Sequence, residues 1–477
     1  MHGVRCQHQG MRNLTTARAQ RFHAYVERLT TALGHRDRHE PLRAYVMGLC
    51  LPCERKSIEP MAARVDPRDV PARHQSMHHV VANAPWDDAA VLRVAHDTVL
   101  AALAPSGRVE AWIVDDTGLP KEGRHSVGVA RQYCGVLGKQ ENCQVAVTLS
   151  LAHAHASVPV AYRLYLPEAW VQDRRRRRAV GVPKAVTFRT KWQIALEQIA
   201  QCRAEGVPPA PLVADAGYGV VTAFRDQLTA WAIPYVVGIS SETTVWAPGR
   251  APLPPRTYQG RGRPPSRVRR TARHRPLRVL VLAQQLPASA WRTVTWRQGT
   301  RGAMRSRFAA VRVRPAHRDE WRSAPRPEEW LLIEWPHGEA TPTKYRLSTL
   351  PLTRSRTELI RLAKLRWRIE RDYQELKGEL GLDHFEGRGW RGFPITPLSA
   401  SQPMRSWQPS GWRISPLCRS PSSAPLVYPK VSRRGALLVR PGRHVPHSIA
   451  TLYRLPASAL AQRLPCMVCG HQPRHDF

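Results

Sequence analysis

Four acidic residues have the types and positions that best fit a chemical task. Asp115 and Asp116 end the β-like run VEAWIVDD, Asp215 ends the run PLVAD, and Glu375 lies in a helix-like run farther along the chain. Carboxylates that are brought together repel one another, so a cluster of them is costly unless a divalent cation neutralises it. Oxygen ligands suit Mg²⁺ or Mn²⁺, and two such ions support in-line displacement at a phosphodiester. We therefore expect a two-metal site with Asp115, Asp116, Asp215 and Glu375 as its ligands and catalytic residues.

The glutamate belongs to the run Arg354 to Gly381, which has the period of an amphipathic helix. We expect one continuous helix, because apolar residues recur at steps of three and four at Leu362, Leu365, Ile369, Tyr373, Leu376 and Leu380. A second stripe beside the first holds Lys364, Arg368, Arg371 and Glu375. This second stripe is either a solvated face, in which an Arg371–Glu375 pair contributes about 0.2–0.5 kcal/mol, or the source of the third carboxylate.

The elements that must position the aspartates follow a recognisable order from residue 108 onward. Three β-like runs come first, ending near Asp116, Ala152 and Leu166, and are followed by helix, strand, helix and strand up to Ile239. This order predicts an α/β fold with a mixed sheet, the ribonuclease H-like fold. In that fold the ends of the first and fourth strands lie close together, which is where Asp116 and Asp215 stand.

The charge of the chain indicates a polyanionic partner. The 477 residues include 73 Lys and Arg against 36 Asp and Glu, which gives a formal net charge of +37. Binding of such a chain to phosphates is favoured by counterion release, so nucleic acid is the expected partner. No apolar run of about 18 residues and no signal peptide is present, so we expect no membrane association. The nine scattered cysteines predict reduced thiols and a cytoplasmic location.

The chain divides into five parts by composition and pattern. Residues 1–107 are helical and form either a DNA-binding or a packing domain. Residues 108–239 are the first part of the α/β core, 240–351 are a β-rich insertion, and 352–393 return to the core. Five tryptophans crowd into the insertion, where they either fill a β core or stack on bases. These are Trp291, Trp296, Trp321, Trp330 and Trp335.

Residues 394–477 depart from the rest of the chain. The stretch from Pro394 to about Pro425 is rich in Pro and Ser and has no helical or strand period, which suggests a frameshifted translation. We expect this segment and the basic tail to be poorly ordered. The tail ends in a CxxCxHxxxH motif, a zinc site or a chance pattern, formed by Cys466, Cys469, His471 and His475.

Several blocks together resemble bacterial insertion-sequence transposases of the DDE type, in the subgroup with a β-strand insertion. They are WIVDDTGLPKEGRHSVGVARQYCGVLGKQENCQVAV from Trp112, LVADAGYG from Leu212, and RWRIERDYQELKGELGLDHFEGRGWRGF from Arg366. The resemblance implies cut-and-paste transposition: binding of terminal inverted repeats, cleavage there, and strand transfer into target DNA. It places the first catalytic aspartate at Asp116 or Asp115, the second at Asp215, and the glutamate at Glu375.

The same resemblance places Arg371 next to DNA phosphate, with Lys377 as a helper. Further DNA-binding candidates are Arg368 and the arginine run that includes Arg174, Arg175 and Arg176, which is either a phosphate-binding loop or a solvated turn. Synapsis of two DNA ends implies a homodimer on DNA. The alternatives are a catalytically inactive relic that only binds DNA, and a related nuclease without strand transfer.

Overall fold

The fold is organised around one twelve-stranded sheet. It is seen in a computed structural model that describes residues 20, 22–51, 53–103, 108–153, 157–299, 302–384 and 386–393. The Pro- and Ser-rich segment and the four terminal cysteine and histidine residues lie outside the described residues. Among the described residues, no helix is both long and apolar enough to cross a membrane.

Among the described residues, five α-helices precede the sheet and share a core of their own. They are α1 (22–32), α2 (His39–Cys50), α3 (Ile58–Val65), α4 (Val70–His78) and α5 (Asp88–Leu103). Phe22, Tyr25, Leu49 and Met61 are buried in this core. Asp69 caps the first turn of α4, where Pro71 needs no hydrogen-bond acceptor. The last helix, α5, also contributes Val99 to the core beneath the sheet.

The first six strands form the ribonuclease H-like part of the sheet and confirm the predicted fold class. They are β1 (Ala111–Pro120), β2 (Ala130–Cys134), β3 (Lys139–Ala152), β4 (Ser157–Leu164), β5 (Leu212–Ala214) and β6 (Tyr235–Ile239). Strand β1 is antiparallel to β3 and parallel to β5, which is parallel to β6. The short strand β2 was not predicted, because its polar sequence ARQYC has no apolar alternation.

Helices cover both faces of this sheet. They include α6 (Glu168–Gln172), α7 (Arg174–Ala179), α8 (Lys191–Ala204), α9 (Ala216–Gly219) and α10 (Thr222–Ala230). Alternate residues of β1 divide between two cores, as the period of a strand requires. Trp112 and Val114 pack on the side of α8 and α10, whereas Ile113 packs on the opposite side with Ile369 and Tyr373.

The predicted β-rich insertion continues the same sheet. It contains β7 (Thr244–Trp246), β8 (Leu277–Arg278), α11 (Val279–Gln284), β9 (Arg292–Gly299), β10 (Gly302–Pro315), β11 (Glu329–Pro336) and β12 (Lys344–Ser348). Strand β12 pairs with β6, and β11 and β10 follow outward. Its tryptophans are divided: Trp291 packs edge-to-face on Trp335 with ring centroids 5.3 Å apart, whereas Trp321 is 62% exposed.

The prediction of one continuous helix from Arg354 to Gly381 is wrong. The chain forms α12 (Arg356–Ala363) and α13 (Trp367–Leu380), separated by three residues in a turn. No Pro or Gly marks this turn in the sequence. Its position instead follows long-range contacts, because Lys364 donates to Glu334 and Arg366 donates to Asp115.

Candidate active site

The parallel pairing of β1 and β5 brings two aspartates together. Trp112 is in register with Leu212, and Ile113 with Val213. Continuing this register by two residues sets Asp115 beside Asp215, which follows β5 as the residue before α9. The sequence forms strands here because both runs are apolar and buried on both faces.

One guanidinium group lies among three carboxylates at this place. Arg366, in the turn between α12 and α13, has its Nη2 atom 3.0 Å from Asp115 Oδ2. The same nitrogen lies 4.0 Å from Asp215 Oδ2 and 3.7 Å from Glu370 Oε1, one helical turn along α13. Asp115, Asp215 and Glu370 therefore share a single cation.

The carboxylates hold more negative charge than their contacts satisfy. Burial raises the pKa of Asp115 to about 6, with a further contribution from Asp215, although Arg366 opposes both effects. Asp215 Oδ1 is buried and accepts no hydrogen bond from the described residues. An oxygen-rich cluster with an unsatisfied acceptor fits a hard divalent cation, because such ions bind carboxylate oxygens and neutralise their repulsion.

Asp116 faces the other side of β1. It accepts a hydrogen bond from the Tyr218 hydroxyl and one from Lys191 Nζ at 2.7 Å. Tyr218 belongs to α9, directly after Asp215, and burial raises its pKa well above the usual value. Lys191 is the first residue of α8. The two adjacent aspartates thus have different surroundings, with Asp115 on the side of Arg366 and Asp116 on the side of α8.

Glu375 has a different partner from the aspartates. Arg371 Nε lies 2.7 Å from Glu375 Oε1, the i to i+4 pair that the sequence suggested, and the glutamate side chain is 15% exposed. Both residues line the same cleft as Asp215 and Glu370. Among the described residues, neither Glu375 nor Glu370 forms with Asp115 and Asp215 a group whose ligand oxygens all lie within 4.8 Å of one another.

Two residues of the site, Arg366 and Glu370, were missed by sequence reasoning. Both lie in the stretch RWRIE at i and i+4, where they form an ion pair. They were missed because a continuous helix was expected, and in a continuous helix nothing indicates that Arg366 contacts β1. The signal that pointed to them was the clustering of charge at the start of α13.

The cleft lined by Asp215, Glu370 and Glu375 has an excess of cationic residues. It has a volume of about 1290 Å³. Six cationic residues line it, against the acidic Asp215, Glu370, Glu375 and Glu379. The six are Arg297, Lys344, Arg346, Lys364, Arg366 and Arg371. Two aromatic rings on its wall carry cations, since the Arg297 guanidinium lies 4.0 Å from the Trp367 ring centre and Lys364 Nζ lies 4.4 Å from that of Trp296.

The DNA-binding candidates on α13 occupy three different environments. Arg371 lines the cleft. Lys377 is buried and donates to the Gly118 carbonyl at 2.6 Å, and burial lowers its pKa. Arg368 donates to the His153 carbonyl. These three residues therefore do not form one basic stripe.

The arginine run forms the short helix α7, in which Asp173 accepts from the backbone of Arg176. Arg174 and Arg175 are exposed. The Arg176 guanidinium lies 3.6 Å from the centre of the Trp170 ring and donates to the Arg124 carbonyl at 2.6 Å. At least part of this run therefore has a structural role, while its first two residues present free charge to solvent.

A sheet of this topology, with Asp115 inside β1 beside Asp215 at the end of the neighbouring β5, defines a ribonuclease H-like nuclease core. The DDE superfamily endonuclease family matches residues 28–303. This match covers more than half of the 477 residues, and the chain belongs to this family. DDE endonucleases use divalent metal ions. The match ends before α13, so the choice of a glutamate on that helix rests on geometry.

A curated relative gives a second similarity. The chain is 30% identical over 168 residues to the "Probable transposase for insertion sequence element IS701" of Microchaete diplosiphon. The alignment covers 35% of this chain and 41% of the relative. The chain therefore spans about two fifths of the length of the curated relative that it matches.

Proposed function

We propose that this chain is a DNA transposase that cleaves the ends of its element and transfers the freed strands into target DNA. One observation carries the proposal: in a DDE-family chain, Asp115 and Asp215 lie on neighbouring strands and share the Arg366 guanidinium. The similarity to a probable insertion-sequence transposase supports the same activity. The proposed substrates are the terminal inverted repeats and target DNA.

Asp115, Asp215 and a glutamate of α13 are the proposed metal ligands. Glu370 is favoured for the third position, because it contacts the same guanidinium as the two aspartates. Glu375 is the alternative, and its partner Arg371 is not the guanidinium that Asp115 and Asp215 share. When bound, two Mg²⁺ or Mn²⁺ ions supply activation of a water or 3′-hydroxyl and stabilisation of the leaving oxygen.

The other residues of the site bind and orient. Asp116, held by Lys191 and Tyr218, fixes the middle of β1 against α8 and α9 and thereby positions Asp115. Lys344 and Arg371 face the cleft and bind the phosphates of a DNA strand that enters it. Exposed Arg174 and Arg175 extend the basic surface, so they contribute to affinity through counterion release rather than to specificity.

Assembly and location follow from this function. Two element ends are joined in one reaction, so we infer a homodimer on DNA. The net charge of +37 keeps such a protein bound to the nucleoid in the cytoplasm. The inactive relic is favoured only by the aberrant stretch between Pro394 and Pro425.

The test is cleavage of a labelled DNA that carries the end of the element, with full-length protein in Mg²⁺ or Mn²⁺. Asp215→Asn is the matched variant, because it removes one charge and keeps the shape of the side chain. We expect cuts at the end of the element that the variant loses while it still binds the DNA. Binding by both proteins and cutting by neither would identify the relic.

A further inference from the structure

A second group of metal-binding side chains lies away from the candidate active site. It consists of His96 of α5, Cys202 of α8, and Glu205, the residue that follows α8. The ligand atoms of these three residues all lie within 4.8 Å of one another. Among the described residues, no other group of three or more His, Cys, Asp and Glu side chains meets this criterion. Cys202 and Glu205 are three positions apart, so they share one face of the helix.

The buried Nε2 atom of His96 makes no hydrogen bond with the described residues. The side chain of this histidine is 6% exposed. Its Nε2 atom points toward Glu205, whose Oε2 lies 3.4 Å away. The other ring nitrogen, Nδ1, lies 3.7 Å from the Asp97 carboxylate. At this distance the Asp97 carboxylate is too far away to accept a hydrogen bond from the ring.

The spacing suits a tetrahedral ion. Two ligand atoms at about 2.0–2.1 Å from a tetrahedral zinc are separated by roughly 3.4 Å, which is the distance between His96 Nε2 and Glu205 Oε2. Glu205 Oε1 is held by Gln201 Nε2 at 2.9 Å, which leaves Oε2 turned toward the histidine. Glu205 is exposed, so water can complete the coordination from that side.

We propose that His96, Cys202 and Glu205 form a zinc site that fastens the N-terminal helices to the α/β core. Sulfur and imidazole ligands favour Zn²⁺ over the Mg²⁺ or Mn²⁺ of the carboxylate site, since they are softer donors. Val99, one turn from His96 on α5, already packs in the core under the sheet. The metal adds coordinate bonds between α5 and the end of α8, where His96 Nε2 and Glu205 Oε2 already lie 3.4 Å apart. This proposal is independent of the proposed function.

The cysteine makes the site selective. A metal binds this residue as the thiolate and must displace its proton, which hard ions such as Mg²⁺ do not do. Zn²⁺ and Co²⁺ bind thiolate strongly enough to displace the proton.

The experiment is a Co²⁺ titration of the full-length protein after chelator treatment, in a Cys466→Ser/Cys469→Ser background. This background removes the terminal cysteines as a source of signal. We expect one equivalent of Co²⁺ to produce a thiolate-to-metal charge-transfer band that Zn²⁺ abolishes. Cys202→Ser should lose the band. Glu205→Gln, a change at an exposed side chain, should keep the band and bind Co²⁺ at least about tenfold more weakly.

Cys143→Ser is the matched control, because Cys143 is also buried and lies in β3, away from α5. It should leave the band unchanged. The proposal is overturned if folded protein gives no band, or if Cys202→Ser leaves the band intact. Loss of the band in Cys143→Ser instead would assign the thiolate to Cys143 and would also overturn it. Circular dichroism of each variant establishes that it is folded.

Discussion

Replacing Arg366 with methionine should increase the affinity of the carboxylate site for Mn²⁺. The Arg366 guanidinium donates to both oxygens of Asp115, at 3.2 and 3.0 Å, and lies 4.0 Å from Asp215. A divalent ion on the same oxygens must displace this cation, so part of its binding free energy is used to break these contacts. Methionine keeps the apolar length of the side chain and removes the competitor.

The size of the effect follows from the contacts that are lost. A hydrogen bond between charged groups contributes about 1.5–3 kcal/mol. Because about 1.4 kcal/mol corresponds to a factor of ten, the variant should bind Mn²⁺ about tenfold to a hundredfold more tightly. The Asp215 contact adds little at its longer distance, since the Arg366 side chain is 28% exposed and solvent screens it.

The assay is the electron paramagnetic resonance signal of free Mn²⁺, measured during titration of full-length protein without DNA. Arg371→Met is the control, because it removes the same charge from the same cleft but from a residue paired with Glu375. It should change the affinity by less than about threefold, since it affects only the general potential of the cleft. An unchanged or weaker affinity in Arg366→Met would refute the competition between guanidinium and metal. An equal gain in Mn²⁺ affinity in both variants would show that the effect comes from net charge alone.

Three further predictions concern stability, each measured by denaturant unfolding. Burial lowers the pKa of Lys364 from 10.5 to about 8, so between these pH values the unfolded chain binds a proton that the folded chain does not. The stability of the wild type relative to Lys364→Met should therefore rise by up to about 3 kcal/mol over that window, and a flat difference would contradict the burial of this amine. Gly219→Ala should lower the free energy of unfolding by about 3 kcal/mol, because its Cβ would lie 1.9 Å from the Gly238 carbonyl oxygen. Gly378→Ala, which has open space around it, should raise that free energy by about 0.5–1 kcal/mol. The opposite order of stability would contradict the packing of α9 on β6. Asp116→Asn should cost about 1 kcal/mol through its lost ion pair, and a loss of Mn²⁺ binding in that variant would instead make Asp116 a ligand.

The fold class was predictable because its signals are local. Apolar runs that end in carboxylates mark β1 and β5, and the order of strands and helices restricts the topology to few choices. The parallel register of those strands then sets Asp115 beside Asp215 without further information. The joining of the insertion to the core was not predictable, since it depends on pairing of β12 with β6 across more than a hundred residues.

The details of the site depended on contacts between distant residues. Strand alternation requires Asp115 and Asp116 to face opposite sides, but the sequence does not reveal which side α13 covers. The break between α12 and α13 follows from the contact of Arg366 with Asp115, 251 residues earlier. The sequence of the turn contains no Pro or Gly that would predict it. Lys377 is of a residue type that often contacts phosphate, yet its amine is buried against Gly118.

The central claim is that Asp115, Asp215 and Glu370 perform the chemistry of this chain. The most direct test compares cleavage of element-end DNA by Glu370→Gln and Glu375→Gln, with Asp115→Asn as the inactive reference and equal DNA binding verified for each. We predict that Glu370→Gln is as inactive as Asp115→Asn, and that Glu375→Gln retains site-specific cleavage. Loss of cleavage in Glu375→Gln with full activity in Glu370→Gln would contradict the geometry on which the assignment rests.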